Sequence, residues 1–407
     1  MRKIDLTSFQ LASSETARQI NRRIALNFIR RHEPLSRADL ARRSGLQRST
    51  ISAIIDQLIE EGWVIEGAAG HVQRGRRPRF LHLNVGRTGI VAVDLRPETT
   101  TVGLAGVDAR FVAQTTWATP REPKTFVRDL ARTVEGFLRA HPQMKCEGIG
   151  IGLPGRADRH GRLVFAPNLA WGRVELRPLL EPALGFPVVL ENDANASALA
   201  ELWFGHHPEH VQHLLAVAIS EGIGVGLLLN GQLVYGADAR AGEFGHVCLD
   251  ETGPPCGCGR RGCWERYASD SAAEQYYADR VRGRGSSRRA GARASAKGTG
   301  TRALRFADLL RLAAHDDRLA GETLDRMARY LGIGIAGLVT GLSPDLIIVV
   351  GEVTSAWDRV GPIIADVVAQ RSLPNAKTRI VPADRATVLR GAVALVVQQH
   401  FGAPSVA

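Results

Sequence analysis

The chain has 407 residues, of which 44% are hydrophobic and 23% charged, and its formal net charge is +11. That length points to two or three domains, and the composition to cores of ordinary size. No run of about 18 uninterrupted apolar residues occurs, which argues against a membrane span. The opening segment MRKIDLTSFQLASSETARQ has neither an apolar core nor a cleavage pattern, so no secretory signal is expected and the cytoplasm is the expected compartment.

The basic excess is localised. Part lies in the first eighty residues and part in VRGRGSSRRAGARASAKGTGTR, residues 281–302, which contains no acid. The remainder is near neutral. A basic head on a neutral body fits a nucleic-acid partner.

In chain order, TARQINRRIALNFIRRHE places Ile20, Ile24 and Phe28 at helical spacing, and Pro34 ends that pattern. Ser36 and Asp39 then form an N-cap signature, in which serine and acid satisfy exposed backbone donors. A short helix runs to Gly45, and LQRSTISAIIDQLIEEG begins another. Ile51, Ile54, Ile55, Leu58 and Ile59 make its apolar stripe, while Gln47, Arg48, Ser49, Thr50 and Ser52 crowd its start. Two helices around a glycine turn, the second opened by small hydrogen-bonding residues, predict a helix-turn-helix whose second helix reads the major groove. The following WVIEGAAGHVQRGRRPRFLHLN reads as two short strands, a wing. Its Arg74, Arg76 and Arg77 suit phosphates or the narrow minor groove. The plainer alternative is a three-helix protein-binding module kept soluble by arginine.

From residue 85 the pattern changes. TGIVAVDLRPETTTVGLAGVDARFVAQTTWAT predicts three strands with turns at Arg96-Pro97 and Asp108-Ala109. A helix over Phe126 to Ala140, the strand EGIGIGLPG and a further helix–strand unit follow. HLLAVAISEGIGVGLLLNGQLVYG restarts the plan, and long helices and the buried strand LIIVVG come after it. Two copies of one strand and helix order predict a duplicated α/β body with a cleft between its halves.

GIGVGLLLNGQLVYG leading into AGEFGH, then CGCGRRGCWE, and ENDANASALAE after GLPG together resemble the ROK family of repressors, open reading frames and kinases. The resemblance covers nearly the whole chain. It implies an actin-like, sugar-kinase (ribonuclease H-like) body of two lobes. A winged helix-turn-helix ahead of that body is similar to the family's transcriptional regulators, many of them sugar-responsive. The expected domains are a winged head over 1–84 and a first lobe over 85–205, completed by a C-terminal helix over 388–407. A second lobe over 206–387 would carry the metal loop 246–263 and a disordered basic insert over 281–302.

The resemblance also implies that Asn168, Asn192, Asp193, Glu243, His246 and Glu265 hold a sugar or sugar-phosphate effector. Carboxylates and amides suit a ring of hydroxyl donors and acceptors. In the family's kinases the residue matching Asp193 is the general base. Asn192 and Asp193 are equally suited to cap the helix that follows them.

The family's kinases have an Asp-x-Gly-Gly-Thr turn after the first strand. Here Asp94 is followed by Leu95, Arg96, Pro97 and Glu98. Proline removes a backbone donor and glutamate adds charge where phosphate would sit. SEGIGVG keeps Gly222, Gly224 and Gly226 but has Glu221 where kinases favour glycine. VVGEVTSAW has Glu352 and Val353 where two glycines are usual. Loss of ATP binding is the expectation, with no catalytic residue assigned. The strings Gly150–Gly155 and Gly332–Gly337 match a dinucleotide fingerprint only by accident, since neither opens a helix after a strand.

Cys256, Cys258 and Cys263, with His246 ten residues upstream of the first, supply three thiolates and an imidazole. That is a closed tetrahedral set suited to structural Zn²⁺. Cys248 is a rival ligand outside the family pattern, Cys146 reads as a buried thiol, and a disulfide is disfavoured in a reducing compartment.

The expected assembly is a homodimer or homotetramer on a double-stranded DNA operator, with no membrane partner. The competing reading is an ATP-dependent sugar kinase with an accessory DNA-binding head.

Overall fold

A computed structural model describes residues 14–69, 79–157, 162–166, 169, 171–205, 207, 211–288, 304–384 and 386–402. The chain divides into two compact units, residues 1–191 with 392–407, and residues 192–391.

The first unit opens with helix α1 (Ser14–His32), strand β1 (Leu35–Ser36), α2 (Arg37–Ser44), α3 (Arg48–Glu60), β2 (Val64–Ala69) and β3 (Arg79–Leu83). The capping box at Ser36 and Asp39 is formed, and Gly45 closes α2 in the left-handed region, where a residue without Cβ is unstrained. Ile51, Ile54, Ile55 and Leu58 are buried. In α1 the fully buried positions are Ala25, Leu26 and Ile29, while Ile20, Ile24 and Phe28 are half-buried. β3 pairs antiparallel with both β1 and β2, which gives the three-stranded wing sheet.

The same unit continues with β4 (Thr88–Leu95), β5 (Thr99–Ala105), β6 (Phe111–Ala118), α4 (Pro123–Ala140) and β7 (Lys145–Leu153). Three short strands, β8 (Arg156–Ala157), β9 (Arg162–Phe165) and β10 (Val174–Glu175), make a small sheet of their own. α5 (Leu176–Leu184) and β11 (Val188–Asn192) follow. The main sheet has the order β11-β7-β4-β5-β6. Its central strand β4 is buried along its whole length, as expected for a strand covered on both faces.

The second unit begins with α6 (Asp193–Phe204), β12 (Leu214–Ile219), β13 (Ile223–Leu229) and β14 (Gln232–Leu233). Next are α7 (Glu265–Ala268), α8 (Asp270–Arg288), α9 (Phe306–Ala314), α10 (Arg318–Leu342), β15 (Leu346–Val350), α11 (Trp357–Arg371), β16 (Arg379–Pro382) and α12 (Thr387–Phe401). Its sheet order is β16-β15-β12-β13-β14. Position by position this repeats the first sheet. In each, the opening strand pairs antiparallel with the next strand and parallel with a later crossover strand. The duplication read from the strand pattern is present in the fold.

Each unit has its own apolar core, one around Phe126, Ile149 and Leu180 and the other around Trp264, Leu331 and Ile347. Two boundaries differ from expectation. α6 packs on β12 and β13 and so groups with the second unit, because Gly226 lets the helix backbone at Ala194 approach the strand closely. The expected basic insert begins inside α8, which extends through Arg288; residues 289–302 lie outside the described residues. The end of α12 returns to the first unit, where Gly150 of β7 leaves room for the Ala392 backbone.

Candidate functional site

The metal loop is a small hairpin. Leu249 N–H donates to the Gly262 carbonyl and Trp264 N–H to the Val247 carbonyl, each at 2.8 Å. At the tip, Cys256 N–H donates to the Arg260 carbonyl at 2.8 Å. The loop is anchored by Trp264, which is buried and donates its indole N–H to the Tyr330 carbonyl at 2.8 Å. Gly334 of α10 lies under that ring, where any Cβ would overlap it, which gives this glycine a packing role.

The hairpin brings one ligand atom each of His246, Cys256, Cys258 and Cys263 within 4.8 Å of one another. Cys258 Sγ is 3.6 Å from Cys263 Sγ, and His246 Nδ1 is 3.6 Å from Cys256 Sγ. Burial pushes the Cys256 and Cys263 thiols up, while the Arg260 backbone N–H pulls Cys258 down. Three thiols and an imidazole so close together can hold a metal ion. Cys248 is exposed and stands outside the four-residue group. Cys146 is half-buried, its thiol pushed up to about 11 by burial.

Two carboxylates flank the cluster. Glu265, at the start of α7, approaches His246 Nδ1 at 3.5 Å and accepts from the Cys256 thiol at 2.9 Å. Glu243, in a 3₁₀ turn over Glu243–His246, lies 3.9 Å from His246 Nε2 and is about half exposed. One imidazole therefore faces the thiols with one nitrogen and an accessible acid with the other. A Cβ on Gly222 would sit 2.9 Å from Glu265 Oε2, so that glycine of the β12–β13 turn borders the carboxylate.

Asn192 is the N-cap of α6. Its side-chain oxygen accepts from the backbone N–H of Ala194 at 2.9 Å and of Asn195 at 3.2 Å. Asp193 occupies the first turn, and its carboxylate accepts from Ala194 N–H at 2.8 Å. Asn168 lies outside the described residues.

The first phosphate-type turn is chemically occupied. Arg96 donates through Nε to Asp94 Oδ2 at 3.0 Å, with Nη2 at 2.9 Å from the same oxygen. Its backbone N–H donates to the Thr99 carbonyl at 3.0 Å, and its carbonyl accepts from the Thr119 hydroxyl at 2.7 Å. In the third such segment, Val353 is fully buried in the core.

In the head, Gln47, Arg48 and Ser49 are exposed at the start of α3. Thr50 and Ser52 are half-buried. Thr50 lines a groove with Ala17, Arg18 and Asn21 of α1, and the Ser52 carbonyl faces Arg37 at 3.5 Å. Arg37, which drew no attention in the sequence, ties the reading frame together. It pairs with Asp56 on α3 at 2.7 Å and with Glu66 on β2 at 2.8 Å. Burial works to lower its pKa, but those acids raise it. Arg74, Arg76 and Arg77 lie outside the described residues.

Comparison with known proteins adds independent findings. The model of the ROK family matches residues 90–399, and that of the MarR family matches residues 20–75. The chain is 31% identical to a putative xylose repressor of Caldicellulosiruptor sp. (strain Rt8B.4), over 95% of this chain and 98% of that protein. It is 33% identical to a glucokinase of Thermotoga maritima, over 69% of this chain and 87% of the relative. Among solved structures, a ROK family transcriptional regulator described as a homolog of the E. coli MLC protein aligns with TM-score 0.79 and 26% identity. That alignment covers 95% of this chain and 97% of the regulator. A ROK glucokinase from Streptomyces griseus, in complex with glucose and AMPPNP, aligns with TM-score 0.65 and 26% identity over 75% of this chain and 98% of the kinase.

Proposed function

This chain belongs to the ROK family, and we propose that it is a sugar-responsive, DNA-binding transcriptional repressor whose kinase activity has been lost. The observation that carries the second clause is the Arg96–Asp94 ion pair at the first phosphate turn. A nucleotide phosphate there needs free backbone donors. Arg96 N–H is committed to Thr99, Pro97 has none, and Glu98 adds a negative charge. The first clause is supported by the winged head and by the repressors and regulator that the whole chain resembles.

In this reading the exposed Gln47, Arg48 and Ser49 meet base edges, with Thr50 and Ser52 beside them. Arg74, Arg76 and Arg77 of the wing hold phosphates or the minor groove. The effector is held by Glu243, His246, Glu265, Asn192 and Asp193, together with Asn168. The Asn192 oxygen is already engaged by two backbone N–H groups, so this residue meets a sugar through its amide N–H₂.

The metal is zinc, held by His246, Cys256, Cys258 and Cys263 in a structural role. A tetrahedron of bonds of about 2.0–2.3 Å has edges of about 3.3–3.8 Å, and the His246–Cys256 and Cys258–Cys263 separations, 3.6 Å each, fall in that range. With all four positions taken by protein, the ion would supply no reactive water and would fix the orientation of His246 and its two acids. No helix among the described residues is long and apolar enough to cross a membrane, which fits a cytoplasmic regulator. The protein works as a homodimer or homotetramer, the form that a two-fold operator requires.

The second reading, an ATP-dependent sugar kinase with an accessory head, is favoured by the glucokinase similarity and by Asp193 at a helix start. One experiment separates them. The full chain is used to select its binding sequence from random DNA, and anisotropy is then measured with xylose first and a panel of sugars and sugar phosphates after it. A coupled ATP assay runs on the same sugars. Operator affinity that responds to one sugar, without turnover, supports the repressor. Turnover at an ordinary kinase rate, about 1–100 s⁻¹, would sink it. For the metal, Cys258→Ser protein that retains stoichiometric zinc contradicts the ligand set.

A further inference from the structure

Cys248 and Cys263 face each other as an isolated antiparallel bridge. The two flanking hydrogen bonds, Leu249 N–H to Gly262 and Trp264 N–H to Val247, make this the narrow, non-hydrogen-bonded kind of pair. In such a pair the Cα atoms lie about 4.5 Å apart and both side chains project from the same face. A disulfide needs Cα atoms about 4.4–6.8 Å apart, so the spacing of this pair lies at the short end of the range that a disulfide spans. The two cysteines differ in access, Cys248 being exposed and Cys263 buried. Only Cys263 belongs to the metal-ligand group.

We propose that Cys248 and Cys263 form a peroxide-responsive thiol pair whose oxidation to a disulfide withdraws Cys263 from the metal set. The inference rests on the metal reading only for its consequence, since the pairing itself follows from the hairpin. Cys248 is the one cysteine of the loop that is accessible yet not committed as a ligand, so a hydroperoxide reaches it first. Its thiolate attacks one peroxide oxygen, the O–O bond breaks, and a sulfenic acid and an alcohol (water, from hydrogen peroxide) result. The Cys263 thiolate then attacks that sulfur, the S–O bond breaks, and hydroxide leaves with a proton as water. Two thiols lose two electrons and two protons, and one peroxide is reduced.

The closed set then has three ligands. His246, which belongs to that set, and Glu265, which touches it, lose the group that orients them, so effector response fails when the pair is oxidised. Thiol reductant and metal restore it.

The test uses the full chain, reduced and loaded with zinc, then treated with a few equivalents of hydrogen peroxide, alkylated and digested. The expected product is a cross-link between the peptides of Cys248 and Cys263, two hydrogens lighter than its parts. A chromogenic chelator should detect loss of the bound zinc at the same rate. In Cys248→Ser, an exposed position outside the metal and effector sets, the cross-link disappears and zinc is retained under the same treatment. A dominant Cys258–Cys263 or Cys256–Cys258 cross-link overturns the proposal, as does Cys248 sulfinic acid without any cross-link. The predicted cross-link in protein that takes up no zinc on loading would uphold the thiol pair and sink the metal reading instead.

Discussion

Arg96 reaches back two residues along the β4 edge and holds Asp94, whose side chain is 11% exposed against 45% for the arginine. The arginine is thus the partner of a mostly buried carboxylate, placed where the family's kinases keep a bare glycine turn. Arg96→Ala leaves that carboxylate without its cation. Because the guanidinium is half in solvent, the expected cost is about 1–2 kcal/mol, below that of a fully buried pair. Urea midpoints should show it, with Asp94→Asn/Arg96→Ala less destabilised than the sum of the singles. Nucleotide binding should not appear in either variant, since Pro97 and Glu98 remain; ATP affinity gained by Arg96→Ala would mean that the arginine alone closes the site.

The residues proposed to meet DNA at the start of α3 differ in exposure. Gln47, Arg48 and Ser49 are exposed, whereas Thr50 lines the groove against α1. Arg48→Ala should therefore weaken operator binding about five-fold or more, the loss of about 1–3 kcal/mol expected for a base contact. Thr50→Ala should change it by less than about three-fold. Anisotropy titrations at two salt concentrations check both, and equal effects would place Thr50 on the DNA face after all.

The head and the duplicated body were legible because their signals are local. A capping pair at Ser36 and Asp39, a glycine at Gly45 and continuous apolar strands such as β4, β12 and β15 each encode an element within a few residues. The cluster that could hold a metal was legible for the same reason, as three of its four residues fall within Cys256–Cys263. What the sequence hid is what depends on chain-distant packing. Nothing in GIGVG says that its glycines meet α6, or that Gly222 borders Glu265 forty-three residues on. Arg37 looked like one arginine among many, and its role appears only when Asp56 and Glu66 converge on it. The grouping of α6 is not legible in sequence, because a helix that follows a strand can pack on another sheet, as α6 does on β12 and β13.

The C-terminal end of α12 is docked on the head within the first unit. Asn27 donates its side-chain amide to the Phe401 carbonyl at 2.6 Å, and Trp63 lies against His400 with ring centroids 4.5 Å apart. Burial lowers the His400 pKa below 6.5, with Arg22 and Arg23 adding to that effect against Glu147 and Glu61. The folded histidine thus binds its proton at lower pH than the unfolded one. Its contribution is complete above about pH 6.5 and declines as pH falls below that value, by at most about 1.4 kcal/mol per unit. The expected result is a lower urea midpoint at pH 5.5 than at pH 7.5, read by tryptophan fluorescence. His400→Gln should flatten part of that difference; an unchanged pH dependence would show that other groups control it.

Two glycines of one motif should respond differently to the same added methyl. A Cβ on Gly226 would run into the backbone of Ala194, which cannot move without shifting α6, so Gly226→Ala should cost about 1–3 kcal/mol in stability. A Cβ on Gly222 meets only the far end of the Glu265 side chain, at 2.9 Å. That carboxylate can swing aside, and Gly222→Ala should keep nearly the parent urea midpoint. In the proposed effector site, moving the acid removes a charge-assisted hydrogen bond to the sugar, about 1.5–3 kcal/mol, so affinity for the sugar that shifts operator binding should fall about ten-fold or more. Calorimetry beside urea unfolding separates the two outcomes. Parent-like sugar affinity in Gly222→Ala would mean that Glu265 faces the metal loop alone, and that the effector is recognised by other groups.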